Sequence, residues 1–71
     1  MTKRFKEKYV RTVYGILRGH WVMNGWTDEY IRSVALEVFE RKLGECNFDP
    51  SQIEDATVAG EEELETWIDC A

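Results

Sequence analysis

The sequence predicts an all-α fold, a small bundle of three or four short helices with antiparallel neighbours. Three observations predict it. Apolar residues recur at three- and four-residue steps over most of the chain. Helix-start signatures stand at Thr27 and at Asp49-Pro50. The stretches between the helical segments are only a few residues long, which makes consecutive helices antiparallel neighbours. Residues 1–71 read as a single helical domain, too short to bury a large core.

The first helix is expected over residues 4–23. Phe5, Tyr9, Val13, Ile16 and Leu17 form its stripe, widened by Val10, Tyr14 and Trp21. Asn24-Gly25 supplies a stop that tolerates positive φ. Gly15 and Gly19 lie four apart on one face, so either another helix approaches closely there or the helix ends near Gly19. A minor alternative is an N-terminal β-hairpin, from the β-propensity of Val10, Thr12, Val13 and Tyr14 and the turn-like Met23-Asn24-Gly25-Trp26.

The second helix has Thr27 as its cap, with Trp26 and Ile31 placed for a hydrophobic staple. Asp28 and Glu29 in the first turn and Arg41 and Lys42 in the last suit the helix dipole. Ile31, Val34, Ala35, Val38 and Phe39 form the buried stripe, Glu37 can pair with Arg41 at i,i+4, and Gly44 is the expected stop. A third start stands at Asp49-Pro50-Ser51-Gln52, with Phe48 and Ile53 as a second staple. That helix is expected to reach Val58 and to break at Gly60. Glu61 to Cys70 then forms a last helix with Leu64, Trp67 and Ile68 on one face; one bent helix from Pro50 to Cys70 is the alternative. The expected core comprises Val13, Ile16, Leu17, Ile31, Val34, Ala35, Val38, Phe39, Ile53, Leu64 and Ile68.

Several function classes lose support from composition. The longest purely apolar runs are three residues, such as Trp21-Val22-Met23, too short to span a bilayer. Lys3, Arg4, Lys6 and Lys8 imitate the start of a signal peptide, but Arg11 and Arg18 interrupt the apolar stretch such a signal needs. A cytoplasmic protein is therefore expected, with Cys46 and Cys70 as free thiols and no cofactor. The two cysteines and His20 lack zinc-site spacing. Cys46 lies past a helix C-terminus, where the dipole does not activate a thiol, and no serine has an assignable base, so no enzyme is expected.

Charge is the most informative feature. The net charge is −5, but it is polarised along the chain: residues 1–22 carry six cations and one anion, and residues 43–71 carry nine anions and no cation. A dipole needs only one or two of the carboxylates in Glu61, Glu62, Glu63 and Glu65. With Glu54, Asp55 and Asp69 they form a candidate acidic surface that meets a basic groove on a larger protein, with Trp26 and Trp67 as candidate aromatic anchors. The chain is similar in size and charge to the small inhibitors made by bacteriophages, including anti-CRISPR and anti-restriction proteins. That resemblance implies a non-catalytic protein that occludes a nucleic-acid-binding site. The alternatives are a nucleic-acid-binding module using Arg4, Lys8, Arg11 and Arg18 on the first helix, and a structural homodimer. A helix-turn-helix over Ser33–Ala59 is rejected, because its second helix would carry Glu54 and Asp55 and no cation.

Overall fold

The computed structural model describes residues 2–70. Three helices, α1 (Lys3–Arg18), α2 (Asp28–Glu45) and α3 (Ala56–Cys70), are joined through single 3₁₀ turns at Trp21–Met23 and Pro50–Gln52. No strand occurs among the described residues, so the hairpin alternative is set aside. The Cα trace spans 33 × 22 × 15 Å. With so thin a third dimension, every helix keeps a solvent face.

The α1 helix starts where Thr2 caps it, its hydroxyl accepting from the Phe5 N–H at 3.2 Å. It ends at Arg18 with Gly19 as C-cap, which is the expected alternative of an end near Gly19 and not the limit at residue 23. His20 then caps the first 3₁₀ turn, its Nδ1 accepting from the Val22 N–H at 3.2 Å. The reversal is completed by Gly25 at φ +98, a conformation that costs glycine little. The α2 helix begins as expected, with the Thr27 hydroxyl accepting from the Tyr30 N–H at 3.1 Å.

Gly44 does not end α2. The helix runs through it to Glu45, and the stop is made two residues later by Asn47 in the left-handed region at φ 57. The Phe48 N–H donates to the Leu43 carbonyl at 2.8 Å and the Asn47 N–H to the Gly44 carbonyl at 3.3 Å. These two bonds are the Schellman arrangement, with asparagine in the position glycine usually holds. Phe48 comes next at φ 61 and is 73% exposed, so its expected staple with Ile53 does not form.

The expected helix from Pro50 to Val58 is likewise corrected. Asp49 caps only one 3₁₀ turn, and α3 begins at Ala56. Asp55 caps α3: its carboxylate accepts from the Thr57 N–H at 2.9 Å and its carbonyl from the Ala59 N–H at 2.9 Å. Gly60 lies inside α3 and breaks nothing. A Cβ built on it would stand 2.9 Å from Ile16 Cδ1, so the absence of a side chain is what lets α3 approach α1. The close approach expected at Gly15 is absent, since a Cβ there meets nothing within 4 Å.

The core joins Tyr9, Val13 and Leu17 of α1 to Ile31, Val34, Ala35, Val38, Phe39 and Leu43 of α2, closed by Met23 and by Ala59 of α3. Tyr9 packs edge-on to Phe39 with centroids 5.2 Å apart. Ile16, Ile53 and Leu64 are half-buried rather than central, and Ile68, expected inside, is exposed. The α3 helix contributes small residues to the core, so its larger apolar side chains lie at the margin or face solvent.

Candidate interaction surfaces

Packing α3 against the end of α2 divides the acidic residues into two groups. Lys42, on the last turn of α2, is almost wholly buried. Its ammonium donates to Glu62 at 2.9 Å, forms an ion pair with Glu54 at 2.9 Å and lies 3.7 Å from Glu45. Hydrogen bonds to Glu54 and Glu62 hold the Lys42 ammonium above its ordinary range, and the bond from Lys42 holds the Glu62 carboxyl below its own. Arg41 donates to Glu63 at 2.9 Å in place of the expected pair with Glu37, and the other Glu63 oxygen accepts from the Trp67 indole N–H at 2.9 Å. The Tyr9 hydroxyl donates to the Glu54 carbonyl at 2.6 Å, fixing the segment that leads into α3.

Glu54, Glu62 and Glu63 are thus occupied in holding α3 to α2, and Asp55 in capping it. Glu61, Glu65 and Asp69 remain, all exposed, at i, i+4 and i+8 on the outer side of α3. Among the described residues no cation lies within ion-pair distance of them. Val58 and Ile68, each more than two-fifths exposed, share that face.

The aromatic candidates do meet. Trp26 stacks on Tyr30 with centroids 4.5 Å apart, and the Trp67 ring stands edge-on to both at 5.7 and 6.2 Å. The stack replaces the Trp26–Ile31 staple. It places three rings beside the C-terminal half of α3, with Trp26 and Tyr30 still partly exposed. Tyr30 was not legible as a site residue; its position four after Trp26 was the available signal. Trp21, 69% exposed, and Phe48 are further exposed rings outside this cluster.

Arg4, Lys8, Arg11 and Arg18 are all exposed but are not gathered into one site. Arg18 lies 3.5 Å from Asp28. Lys8 borders a hollow of about 450 Å³ between α1 and the segment that enters α3, lined also by Glu54 and Asp55. Arg11 borders a different groove, of about 560 Å³, between α1 and α2. Lys3, Lys6 and Arg32 join Arg11 on its rim, Val10, Tyr14 and Leu36 supply apolar surface, and Glu7 is the one acid. The Arg32 guanidinium stands 5.3 Å over the Tyr14 ring, which steadies it. Sequence reasoning missed Arg32, because a single arginine on α2 has no patterned link to α1 until the helices pack.

The remaining polar chemistry is local. The Cys46 Sγ lies 3.2 Å from both the Leu43 and the Asp49 carbonyl oxygens, which share its single S–H, and Cys46 and Cys70 are not bridged. Among the described residues no group of three or more His, Cys, Asp or Glu is arranged to hold a metal ion, and no helix is long and apolar enough to cross a membrane. Comparison with family models, with curated proteins and with solved structures gives no match.

Proposed function

We propose that this chain is a non-catalytic protein-binding module that uses the outer face of α3 against a basic surface of a larger cytoplasmic protein. The observation that carries the reading is the row Glu61, Glu65 and Asp69, exposed and without an ion-pair partner among the described residues, beside exposed Val58 and Ile68. Three carboxylates at helical spacing lie within about 12 Å along the axis, a compact negative stripe. The apolar pair supplies contact area that charge alone does not, whereas the Trp26–Tyr30–Trp67 cluster lies on the α2 side of α3. A partner whose basic groove ordinarily takes nucleic acid fits this chemistry, and the chain would then act as a small inhibitor that occludes the groove. The nucleic-acid reading of α1 draws less support, because Lys8 and Arg11 border different grooves and Arg18 is paired with Asp28.

The test is quantitative capture from a host lysate with the parent chain and with Glu61→Lys/Glu65→Lys/Asp69→Lys. The parent is expected to retain a basic protein that added duplex DNA or RNA displaces, and the variant to lose it. Retention at the parent level by the variant overturns the reading.

A further inference from the structure

We propose that the α1/α2 groove is a docking site for α3 of a second copy, so that the chain self-associates head to tail. The groove has apolar surface from Val10, Tyr14 and Leu36 and a rim bearing Lys3, Lys6, Arg11 and Arg32. The outer face of α3 has the complementary composition, with Val58 and Ile68 beside Glu61, Glu65 and Asp69. The lengths also agree. The α1 wall of the groove runs from Lys3 to Tyr14, about 17 Å, and the outer α3 face runs from Val58 to Asp69, also about 17 Å. An amphipathic helix laid in a groove between two others is a common recognition mode and would complete a local four-helix bundle. A bare polyanion matches less well, because it leaves the apolar surface of the groove unused.

Geometry sets the kind of assembly. No α3 residue lines the groove, and the outer face of α3 is turned away from α1 and α2. A copy docked by its α3 therefore leaves its own groove open to a further copy, so the contact is heterologous and builds a chain or a closed ring. Self-association would cover the same α3 face that the partner reading uses, but it does not rest on that reading.

Sedimentation of the purified chain tests the proposal. At low ionic strength the parent's mass is expected to rise with concentration past that of a dimer, and to return to monomer in high salt. Arg11→Ala/Arg32→Ala, which disables the groove, and Glu61→Gln/Glu65→Gln, which disables α3, should each need about tenfold higher concentration to associate. Mixed together, they should form a one-to-one pair that grows no further, since one good α3 meets one good groove. All these positions are exposed, and circular dichroism confirms that each variant is folded. The groove variant should also keep its lysate partner, which separates failure here from failure of the partner reading. A parent that stays monomeric, a mixture that does not pair, or a groove that binds a short nucleic acid without self-association overturns the proposal.

Discussion

A single side chain, Lys42, decides what most of the acidic segment is for. Its place in the last turn of α2 predicts an exposed cation that complements the helix dipole. It is instead buried where Glu45, Glu54 and Glu62 converge, and it tethers α3. Lys42→Met leaves those carboxylates facing one another. Because they remain partly hydrated, the expected cost is about 1–2 kcal/mol rather than the 3–5 of a fully buried pair. Arg41→Ala breaks a more exposed pair and should cost under about 1 kcal/mol. Chemical denaturation of the two variants gives the order, and equal stabilities would count against the tether. Tyr9 adds a pH signature. Burial, with Glu54 and Asp55 adding and Lys42 opposing, pushes its hydroxyl up to about 12. An unfolded tyrosine titrates near 10, so between about pH 10 and 12 the unfolded chain loses its proton first and stability falls as pH rises. The contribution is intact below pH 10. The raised Lys42 acts in the same direction. In melts across the alkaline range, Tyr9→Phe should start lower, by about 1 kcal/mol for the lost hydrogen bond, and decline less steeply than the parent. Parallel declines would show that Tyr9 is not responsible.

Among the elements, the glycines separate local preference from packing. Gly44 lies within α2 with open space around its missing Cβ, whereas Gly60 lies within α3 against Ile16 Cδ1. Alanine at 44 gains helix propensity and meets nothing, so Gly44→Ala should stabilise by about 0.5–1 kcal/mol. At 60 the same gain is opposed by contact with Ile16, whose Cβ and Cγ2 stand at 3.2 and 3.3 Å, leaving little for a rotamer change to relieve. Gly60→Ala should therefore destabilise by about 1–2 kcal/mol net. Thermal melts of the two variants should shift in opposite directions. A rise for both would mean that the α1–α3 approach is looser than the contacts describe.

Across the molecule, thinness governs both stability and exposure. With a core drawn mainly from α1 and α2, α3 is held by small residues, ion pairs and a few half-buried side chains. Val38, at 1% exposure, is central, and Val38→Ala should cost about 2–3 kcal/mol, a large share of the stability of so small a domain. Ile68→Ala on the outer α3 face should cost under about 0.5 kcal/mol in the isolated chain. Denaturant midpoints measure both. If Ile68→Ala proves as damaging as Val38→Ala, the outer face of α3 is buried in solution, and self-association is the first cause to examine. Part of the charge polarity of the sequence becomes a spatial polarity by the same packing, with Lys3, Lys6, Arg11 and Arg32 at the groove between α1 and α2 and unpaired acids on the outer side of α3.

Local pattern was enough to establish the all-α class, the start of α2 at Thr27 and the buried stripe from Ile31 to Phe39. Those features arise from cap chemistry and a 3.6-residue period, which act within a few residues of one another. Pattern also marked the acidic third and the two tryptophans as surface candidates, because composition alone exposes an excess of charge. Packing was needed to settle which glycine is enclosed and which lies open, why α2 stops at Asn47 rather than Gly44, and where α3 begins. It alone separated Glu54, Glu62 and Glu63, engaged in holding helices together, from Glu61, Glu65 and Asp69, left facing outward. The cause is distance along the chain. The Tyr9–Glu54 bond joins residues 45 apart, and Arg41–Glu63 joins residues 22 apart. No local pattern encodes such meetings, and the partner of each charge is settled only when the helices close.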